Sequence, residues 1–296
     1  MIKYIVMVIA GACSYGILST FAKLAYREGF SAAEITFSQA FISMVVLWLF
    51  CSLQDKINHK TTALHINRNI WISLLLTGAT IGLTTFVYYL SVLYIPASLA
   101  VVILMQFTWM GTLLEWLCFK KKPGWEQIII IVLILGATVM ASGLLNIHTE
   151  EIPLRGILYA LGSALLYAVY VVASGRTISQ VSSLQRSAII MTGYTLGIFI
   201  VNAHALWATH HFNLLLLKWA LFFGIFGTLI PQVMFAKGIP KVGAGISAII
   251  MTVELPVAVI TAHVLLHEPV TFSQWIGIIV MLLAMALINV SALKMR

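Results

Sequence analysis

The chain has 296 residues, of which 61% are hydrophobic and only 9% are charged. Soluble domains carry about 25% charged residues, so this composition excludes a protein whose whole surface faces water. The net charge of +8 does not indicate nucleic acid, because the Lys and Arg residues stand in short clusters between apolar runs. Clusters of that kind set the orientation of membrane proteins.

Ten apolar runs in the sequence are each close to the roughly 20 residues that cross a bilayer as a helix. They therefore predict ten transmembrane helices: Tyr4–Ala25, Ala32–Leu53, Ile70–Leu93, Ala97–Phe119, Glu126–Leu145, Leu154–Gly175, Ala188–Trp207, Leu214–Ala236, Ala244–Leu266 and Ser273–Leu293. The first run is longer than the apolar core of a signal peptide and is predicted to stay as a helix. Cys13, Cys51 and Cys118 all fall in apolar runs and indicate no disulfide framework.

The basic residues predict how the chain is oriented. If the N-terminus is cytoplasmic, thirteen of the 17 Lys and Arg residues fall in cytoplasmic connections or termini. This bias predicts a multi-pass protein of an inner or plasma membrane, with both termini in the cytoplasm.

A weak internal repeat runs through the sequence. A shift of 147 positions aligns Tyr94–Ala100 with Lys241–Ser247, and Gln127 with Gln274. The spacing predicts two repeats of five helices, residues 1–147 and 148–296, and an odd helix number inverts the second repeat. The predicted fold class is an all-α membrane protein with ten transmembrane helices as a 5+5 inverted-topology repeat. Such repeats, with a site at their interface, recur in transporters.

The ninth predicted helix and the turn after it carry the strongest local pattern: Val253–Ala258, then Leu266–Thr271, then Gln274–Gly277. This pattern resembles the helix–loop–helix signature of the drug/metabolite transporter superfamily, in its ten-helix EamA branch. The first half departs from it, with Phe107, Trp109 and Lys121 at the places of the Glu, the Pro and the turn Glu. The resemblance implies a central cavity lined by helices 1, 3, 4, 6, 8 and 9, with helices 5 and 10 outside. It also implies transport, often export, of amino acids, amines or related metabolites.

Glu254 lies near the middle of the ninth predicted helix. A charge at the centre of a bilayer costs about 2.5–3.5 kcal/mol on insertion scales, so this side chain is expected to face the bundle interior or a wet cavity. There it would couple transport to protons or act as the counter-ion of a substrate amine. A structural carboxyl that is hydrogen-bonded to a neighbouring helix is the other interpretation. Pro256 is expected to disturb the preceding turn of helix.

Several aromatic residues lie too deep in the predicted helices for the aromatic belt at the membrane surface. Tyr167 and Tyr170 follow helical spacing in the sixth predicted helix. Aromatic faces beside one carboxylate suit a flat substrate, or one whose amine is held by cation–π attraction of about 0.5–2 kcal/mol. Ordinary helix packing competes with this interpretation at each position. The predicted substrate-binding residues are Tyr15, Tyr88, Trp109, Tyr167, Tyr170, Gln232 and Glu254.

Two enzyme-like patterns carry less weight. Glu150–Arg155 matches the EExxxR string of intramembrane CAAX-type proteases, but Pro153 interrupts the helix that the string requires. His263 and His267 have the spacing of a helical metal pair, yet His267 falls where the family turn is expected. The sequence therefore predicts no metal site and no cofactor.

The predicted function is secondary active transport of small metabolites by alternating access, by a monomer or homodimer whose partners are the solute and the lipid bilayer. One alternative is a transporter of larger anionic solutes, as in the nucleotide-sugar branch of the superfamily. That alternative requires a basic residue deep in the membrane, and none falls at the middle of a predicted helix. A second alternative, a membrane enzyme or lipid-processing subunit, requires a convergent catalytic set that the sequence does not offer.

Overall fold

A computed structural model of the chain describes residues 2–58, 67–120, 122–141, 153–175, 181–208, 214–267 and 270–294. Within these ranges every regular element is helical, which confirms the predicted all-helical class. The elements are α1 (Ile2–Gly16), α2 (Leu18–Arg27), α3 (Ala32–Asn58), α4 (Arg68–Tyr94), α5 (Ala97–Leu104), α6 (Phe107–Phe119), α7 (Trp125–Ala141), α8 (Leu154–Ser174), α9 (Ser183–Ala208), α10 (Leu214–Gly224), a π-helical turn (Ile225–Leu229), α11 (Ile230–Val242), α12 (Ala244–Met251), α13 (Glu254–Leu266) and α14 (Phe272–Lys294).

Eight helical segments in the described ranges are long and apolar enough to cross a membrane, and some of these segments combine two of the helices named above. They are Ile2–Arg27, Ala32–Gln54, Arg68–Tyr94, Leu99–Phe119, Leu154–Ser174, Ser183–Trp207, Leu214–Val242 and Ala244–Leu266. Two shorter apolar helices, Trp125–Met140 and Phe272–Leu283, fall on the fifth and tenth predicted segments. Eight of the predicted segments are thus candidate membrane spans, and the count of ten stays a prediction.

The ninth predicted segment is two helices rather than one. α12 and α13 are separated by Thr252 and Val253, which form a turn. Pro256 explains the break, because it has no N–H to donate to the carbonyl of Thr252 four residues earlier. That carbonyl instead accepts a hydrogen bond from Leu255 N at 3.1 Å.

The fourth predicted segment is also divided into two helices, by a turn at Met105 and Gln106 between α5 and α6. α5 and α12 each have 8 residues, and α6 and α13 each have 13. Both longer helices end on a left-handed residue, Lys120 with φ 55° and His267 with φ 57°. The first and last residues of α12 and α13 each lie 147 positions after those of α5 and α6. The same shift aligns the two halves of the sequence.

The eighth predicted segment contains a turn of π-helix, Ile225–Leu229. Pro231 follows this turn, and a proline ring inside a helix collides with the carbonyl four residues earlier, here that of Gly227. The wider π turn moves the backbone away from that collision, as π turns do within α-helices. The freed carbonyl of Phe226 accepts a hydrogen bond from Ser14 of α1.

α9 begins at Ser183, five residues before the predicted start at Ala188. A capping box explains the difference. Ser182 Oγ accepts a hydrogen bond from Gln185 N at 3.2 Å, while Ser182 N donates to Gln185 Oε1 at 3.3 Å. The longer helix includes Arg186, which the sequence interpretation placed in a connection.

α4 and α9 cross at close range through two pairs of glycines. A Cβ on Gly78 would lie 1.9 Å from Ile190 O, and one on Gly193 would lie 2.1 Å from Leu75 O. Gly82 and Gly197, one turn further along each helix, would also bring a Cβ within 3.2 Å of the facing helix. Small residues spaced in this way allow membrane helices to approach until their backbones touch.

The remaining helices surround this crossing. α4 also packs on α8, and α1 packs on α11. α6 packs on α8, and α3 packs on α9 and α10. α7 and α14 pack mainly on each other, away from the centre. Many large apolar side chains face outward, for example Ile200 at 74% and Leu214 at 85% exposed, as expected where lipid is the solvent.

Candidate functional site

A cavity lies at the centre of the bundle. Its volume is about 30 Å³. The cavity is therefore narrow in this conformation. Six helices contribute its lining residues, which are Tyr15, Leu18, Ile81, Thr84, Thr85, Tyr88, Tyr89, Leu104, Tyr167 and Glu254.

Glu254 is the only ionisable carboxyl among these lining residues. It opens α13 directly after the break at Thr252 and Val253, so the break fixes where its side chain lies. Its side chain is 5% exposed, and Oε2 has no hydrogen-bond partner among the described residues. Gly16 lets α1 approach at this point, because a Cβ there would lie 2.6 Å from Glu254 O. An uncompensated buried carboxylate is costly, so a proton or a cationic ligand would stabilise it.

Aromatic rings form one wall of the cavity. The rings of Tyr15 and Tyr167 meet edge to face with centroids 6.2 Å apart. Behind them, Phe235 lies 5.6 Å from Tyr15, and Phe107 lies 4.5 Å from Tyr167. The hydroxyl of Tyr167 is buried without a hydrogen-bond partner in the described part of the chain. This wall offers a ligand both aromatic faces and an unused hydroxyl group.

Tyr170 and Gln232 do not line the cavity but continue from its aromatic wall. The ring of Tyr170 stacks on Tyr167 with centroids 6.2 Å apart and an interplanar angle of 13°. Its hydroxyl donates a hydrogen bond to Gln232 Oε1 at 3.1 Å. The two residues therefore form a second layer, one ring away from the cavity.

Trp109 lies apart from the other predicted residues. It is 38% exposed, and its Nε1 donates to Gln106 Oε1 at 2.9 Å. Phe107 of the same helix contacts Tyr167, and two residues along an α-helix correspond to about 200° of rotation. Trp109 consequently points away from the cavity, and we remove it from the candidate site.

The opposite wall includes residues that were outside the predicted set, namely Thr84, Thr85 and Tyr89 of α4. Beside them, Ser19 Oγ and the Tyr88 hydroxyl are buried without a hydrogen-bond partner within the described ranges. The one sequence signal for Thr84, Thr85 and Tyr89 was the high density of threonine and tyrosine residues in their apolar run.

The described residues bear on only one of the two enzyme-like patterns, the histidine pair. Within the described ranges no three His, Cys, Asp or Glu side chains come together as metal ligands would. His267 ends α13 in a left-handed conformation, so it does not continue the helical spacing from His263. Glu150 and Glu151 lie outside the described residues.

The sequence profile of the EamA-like transporter family matches residues 2–143 and 154–290. The chain belongs to this family. An uncharacterized transporter of Synechocystis sp. is 24% identical over 214 residues, which are 70% of this chain and 64% of the relative. The aligned part thus covers somewhat less than two thirds of that relative's length.

A solved crystal structure has the same fold. It superposes with a TM-score of 0.72, covers 98% of both chains and is 13% identical in sequence. At that identity the likeness bears on the fold alone. A member of this transporter family with eight candidate spans in its described residues is a multi-pass membrane protein, and the central cavity is the candidate place for a solute.

Proposed function

We propose that this EamA-family chain is a secondary transporter that exports small amine-bearing or aromatic metabolites, such as amino acids. The observation that carries the proposal is Glu254, a buried carboxyl at a cavity walled by tyrosines, one of whose oxygens has no partner among the described residues. The carboxylate would hold the amine of the solute, and the rings would hold its apolar or aromatic part. When the solute leaves, a proton would take its place on Glu254 and couple transport to the proton gradient.

Alternating access would be carried by two inverted repeats of five helices, residues 1–147 and 148–296. The family profile matches two consecutive stretches of similar length. The breaks in the fourth and ninth segments recur at a shift of 147 residues. Packing supports the same pairing, since α1 lies on α11 as α8 lies on α4. In this arrangement both termini face the cytoplasm of an inner or plasma membrane, as the basic residues predict.

Uptake into proteoliposomes tests the role of Glu254. The protein is reconstituted, a pH gradient is imposed, and radiolabelled phenylalanine and phenethylamine are supplied. In Glu254→Gln the acceleration of uptake by the pH gradient should disappear. Glu126→Gln is the matched control, because Glu126 is exposed at the start of α7. Full gradient-dependent uptake by Glu254→Gln would refute the proposal.

A second candidate is a transporter of larger anionic solutes, as in the nucleotide-sugar branch of the superfamily. One observation favours it, namely that Arg186 is only 4% exposed inside a candidate membrane span. Selective uptake of nucleotide sugars in the same proteoliposomes, without uptake of amino acids or amines, would decide for this candidate.

A further inference from the structure

Four buried polar residues lie behind the aromatic wall, on the side away from the cavity. They are Tyr170 and Ser174 of α8, Arg186 of α9 and Gln232 of α11, and we call them the Arg186 cluster. Arg186 is 4% exposed, Ser174 2% and Gln232 1%. Tyr170 joins the cluster to the cavity, since its ring stacks on that of Tyr167.

Hydrogen bonds hold the cluster together but use only part of it. Arg186 Nη2 donates to the carbonyl of Ser174 at 2.7 Å, and the Tyr170 hydroxyl donates to Gln232 Oε1 at 3.1 Å. Tyr170 and Ser174 lie one turn apart on the same face of α8, so the two hydrogen bonds lie side by side. Ser187 Oγ reaches Gln232 O at 3.4 Å. Three helices are therefore fixed around one point.

The groups left over are donors. Arg186 Nε, Gln232 Nε2 and Ser174 Oγ are buried without a hydrogen-bond partner among the described residues. The first two can only donate hydrogen bonds, and the serine hydroxyl can donate as well as accept. No described carboxylate pairs with Arg186. A buried cation without a counter-ion is unfavourable, so an anion would stabilise this set of groups.

The position of Arg186 in its helix adds to this requirement. It is the fourth residue of α9, in the turn where the helix dipole is positive. A cation is disfavoured there and an anion is favoured. One role inside the fold is clear, since the bond to Ser174 O satisfies a carbonyl at the end of α8. That bond uses Nη2, whereas Nε, Gln232 Nε2 and Ser174 Oγ have no partner in the part of the chain that the structure describes.

We propose that the Arg186 cluster binds the anionic group, a carboxylate or a phosphate, of the solute that the protein transports. The inference rests on the proposed transport function and extends it to zwitterionic or acidic solutes. A planar guanidinium recognises both kinds of anion with paired hydrogen bonds. An α-amino acid, whose amine and acid group share one carbon, would be held at the Arg186 cluster by its acid group. An amine without an acid group would be held at Glu254, on the other side of the Tyr167 and Tyr170 rings.

The test is ligand binding by purified protein in detergent, measured as the rise in melting temperature over a titration. The probes are phenylalanine, phenethylamine, which lacks only the carboxylate, and inorganic phosphate. Gln232→Glu is the decisive variant. It keeps the acceptor for the Tyr170 hydroxyl and places a carboxylate beside Arg186, where the solute's anion would lie. Arg155→Gln is the matched control, because Arg155 is exposed on α8.

We expect Gln232→Glu to melt at the same temperature as the wild type or higher without a probe. Its affinity for phenylalanine or phosphate should fall at least tenfold, while its affinity for phenethylamine stays within twofold of the wild type. Arg155→Gln should bind all three probes as the wild type does. Stabilisation by phenylalanine would identify a carboxylate as the ligand, and stabilisation by phosphate alone would identify a phosphate.

Two results would overturn the inference. In the first, Gln232→Glu is clearly less stable than the wild type without a probe, which would mean that Arg186 already has a counter-ion. In the second, phenethylamine stabilises the wild type but neither acid-bearing probe does. The proposed transport of amines would then stand while the anion site fails. If phosphate alone stabilised the wild type, the anion site at the Arg186 cluster would be supported and the proposed transport of amine-bearing solutes would be contradicted.

Discussion

The crossing of α4 and α9 allows a stability prediction that can be worked out from distances. In Gly78→Ala the new Cβ would lie 1.9 Å from Ile190 O, whereas real Cβ contacts stay above 3.0 Å. Ile190 O and the next nearest atoms, Ile190 C and Tyr194 N at 2.8 Å, are all backbone atoms. No side-chain rotation relieves the collision, so the two helices must separate by about 1 Å against close packing.

Overpacking of a dense interior costs about 1–3 kcal/mol, and contact with a rigid backbone places this variant at the upper end. One kcal/mol lowers the melting temperature of a chain of this size by roughly 2–4 °C, so a loss of about 6–12 °C is expected. Melting followed by fluorescence-detected gel filtration in detergent measures it.

Gly136→Ala is the matched control for this variant. Gly136 lies within α7 and is exposed, and no atom lies within 4 Å of the place that an alanine Cβ would take there. Alanine there should leave the stability unchanged or raise it by up to about 1 kcal/mol. Gly193→Ala should behave like Gly78→Ala, and the double variant should lose less than both losses together, because one separation of the helices relieves both collisions. Equal melting of Gly78→Ala and Gly136→Ala, or full additivity in the double variant, would refute the reasoning.

Three further predictions concern the start of α9, the aromatic wall and the break in the ninth segment. Ser182→Ala should cost about 1 kcal/mol of stability through loss of the capping box, while Ser52→Ala, at an exposed position of α3, should melt unchanged; equal melting of the two would contradict the cap. Tyr167→Ala should weaken binding of phenylalanine at least tenfold in the melting assay, and Trp109→Ala should leave it within twofold; the reverse order would move the site to Trp109. Pro256→Ala restores the missing N–H, so it should raise the melting temperature and slow uptake into proteoliposomes; faster uptake would contradict a role for the break in transport.

The helical architecture followed from the sequence because lipid leaves a chain with few choices. Apolar runs of spanning length predict helices well, since each backbone group must be satisfied within its own segment. The broken ninth segment could also be foreseen, because Pro256 removes a specific hydrogen bond. The matching break at Met105 and Gln106 has no proline and had no sequence signal beyond the weak repeat.

The site was partly predictable for a similar reason. Polar and aromatic residues inside apolar runs must face protein or water, and Tyr15, Tyr88, Tyr167 and Glu254 do line one cavity. Trp109 satisfied the same criterion and points elsewhere, because its direction depends on the rotation of α6 after the break. Depth along the chain is readable from sequence, but helical rotation depends on tertiary packing.

Arg186 was absent from the predicted site residues because the predicted start of its helix lay two residues after it. Hydropathy placed the start of the seventh segment after it, because Gln185, Arg186 and Ser187 are polar. The capping box of Ser182 and Gln185 was present in the sequence and marks the actual start of the helix. Hydropathy sums residue preferences, whereas a cap is a specific pair of hydrogen bonds, and the two disagree where a helix begins with buried polar residues.

The π turn at Ile225–Leu229 sets how far α11 is rotated about the helix axis relative to α10. Such a turn accommodates about one more residue than an α-helical turn does. If the same residues formed a regular α-helix instead, everything after the turn would rotate by about 100° relative to α10. Gln232 would leave the hydroxyl of Tyr170, while α10 would keep its contacts with α3. The one additional residue in the π turn thus sets the rotation at which α11 faces α8.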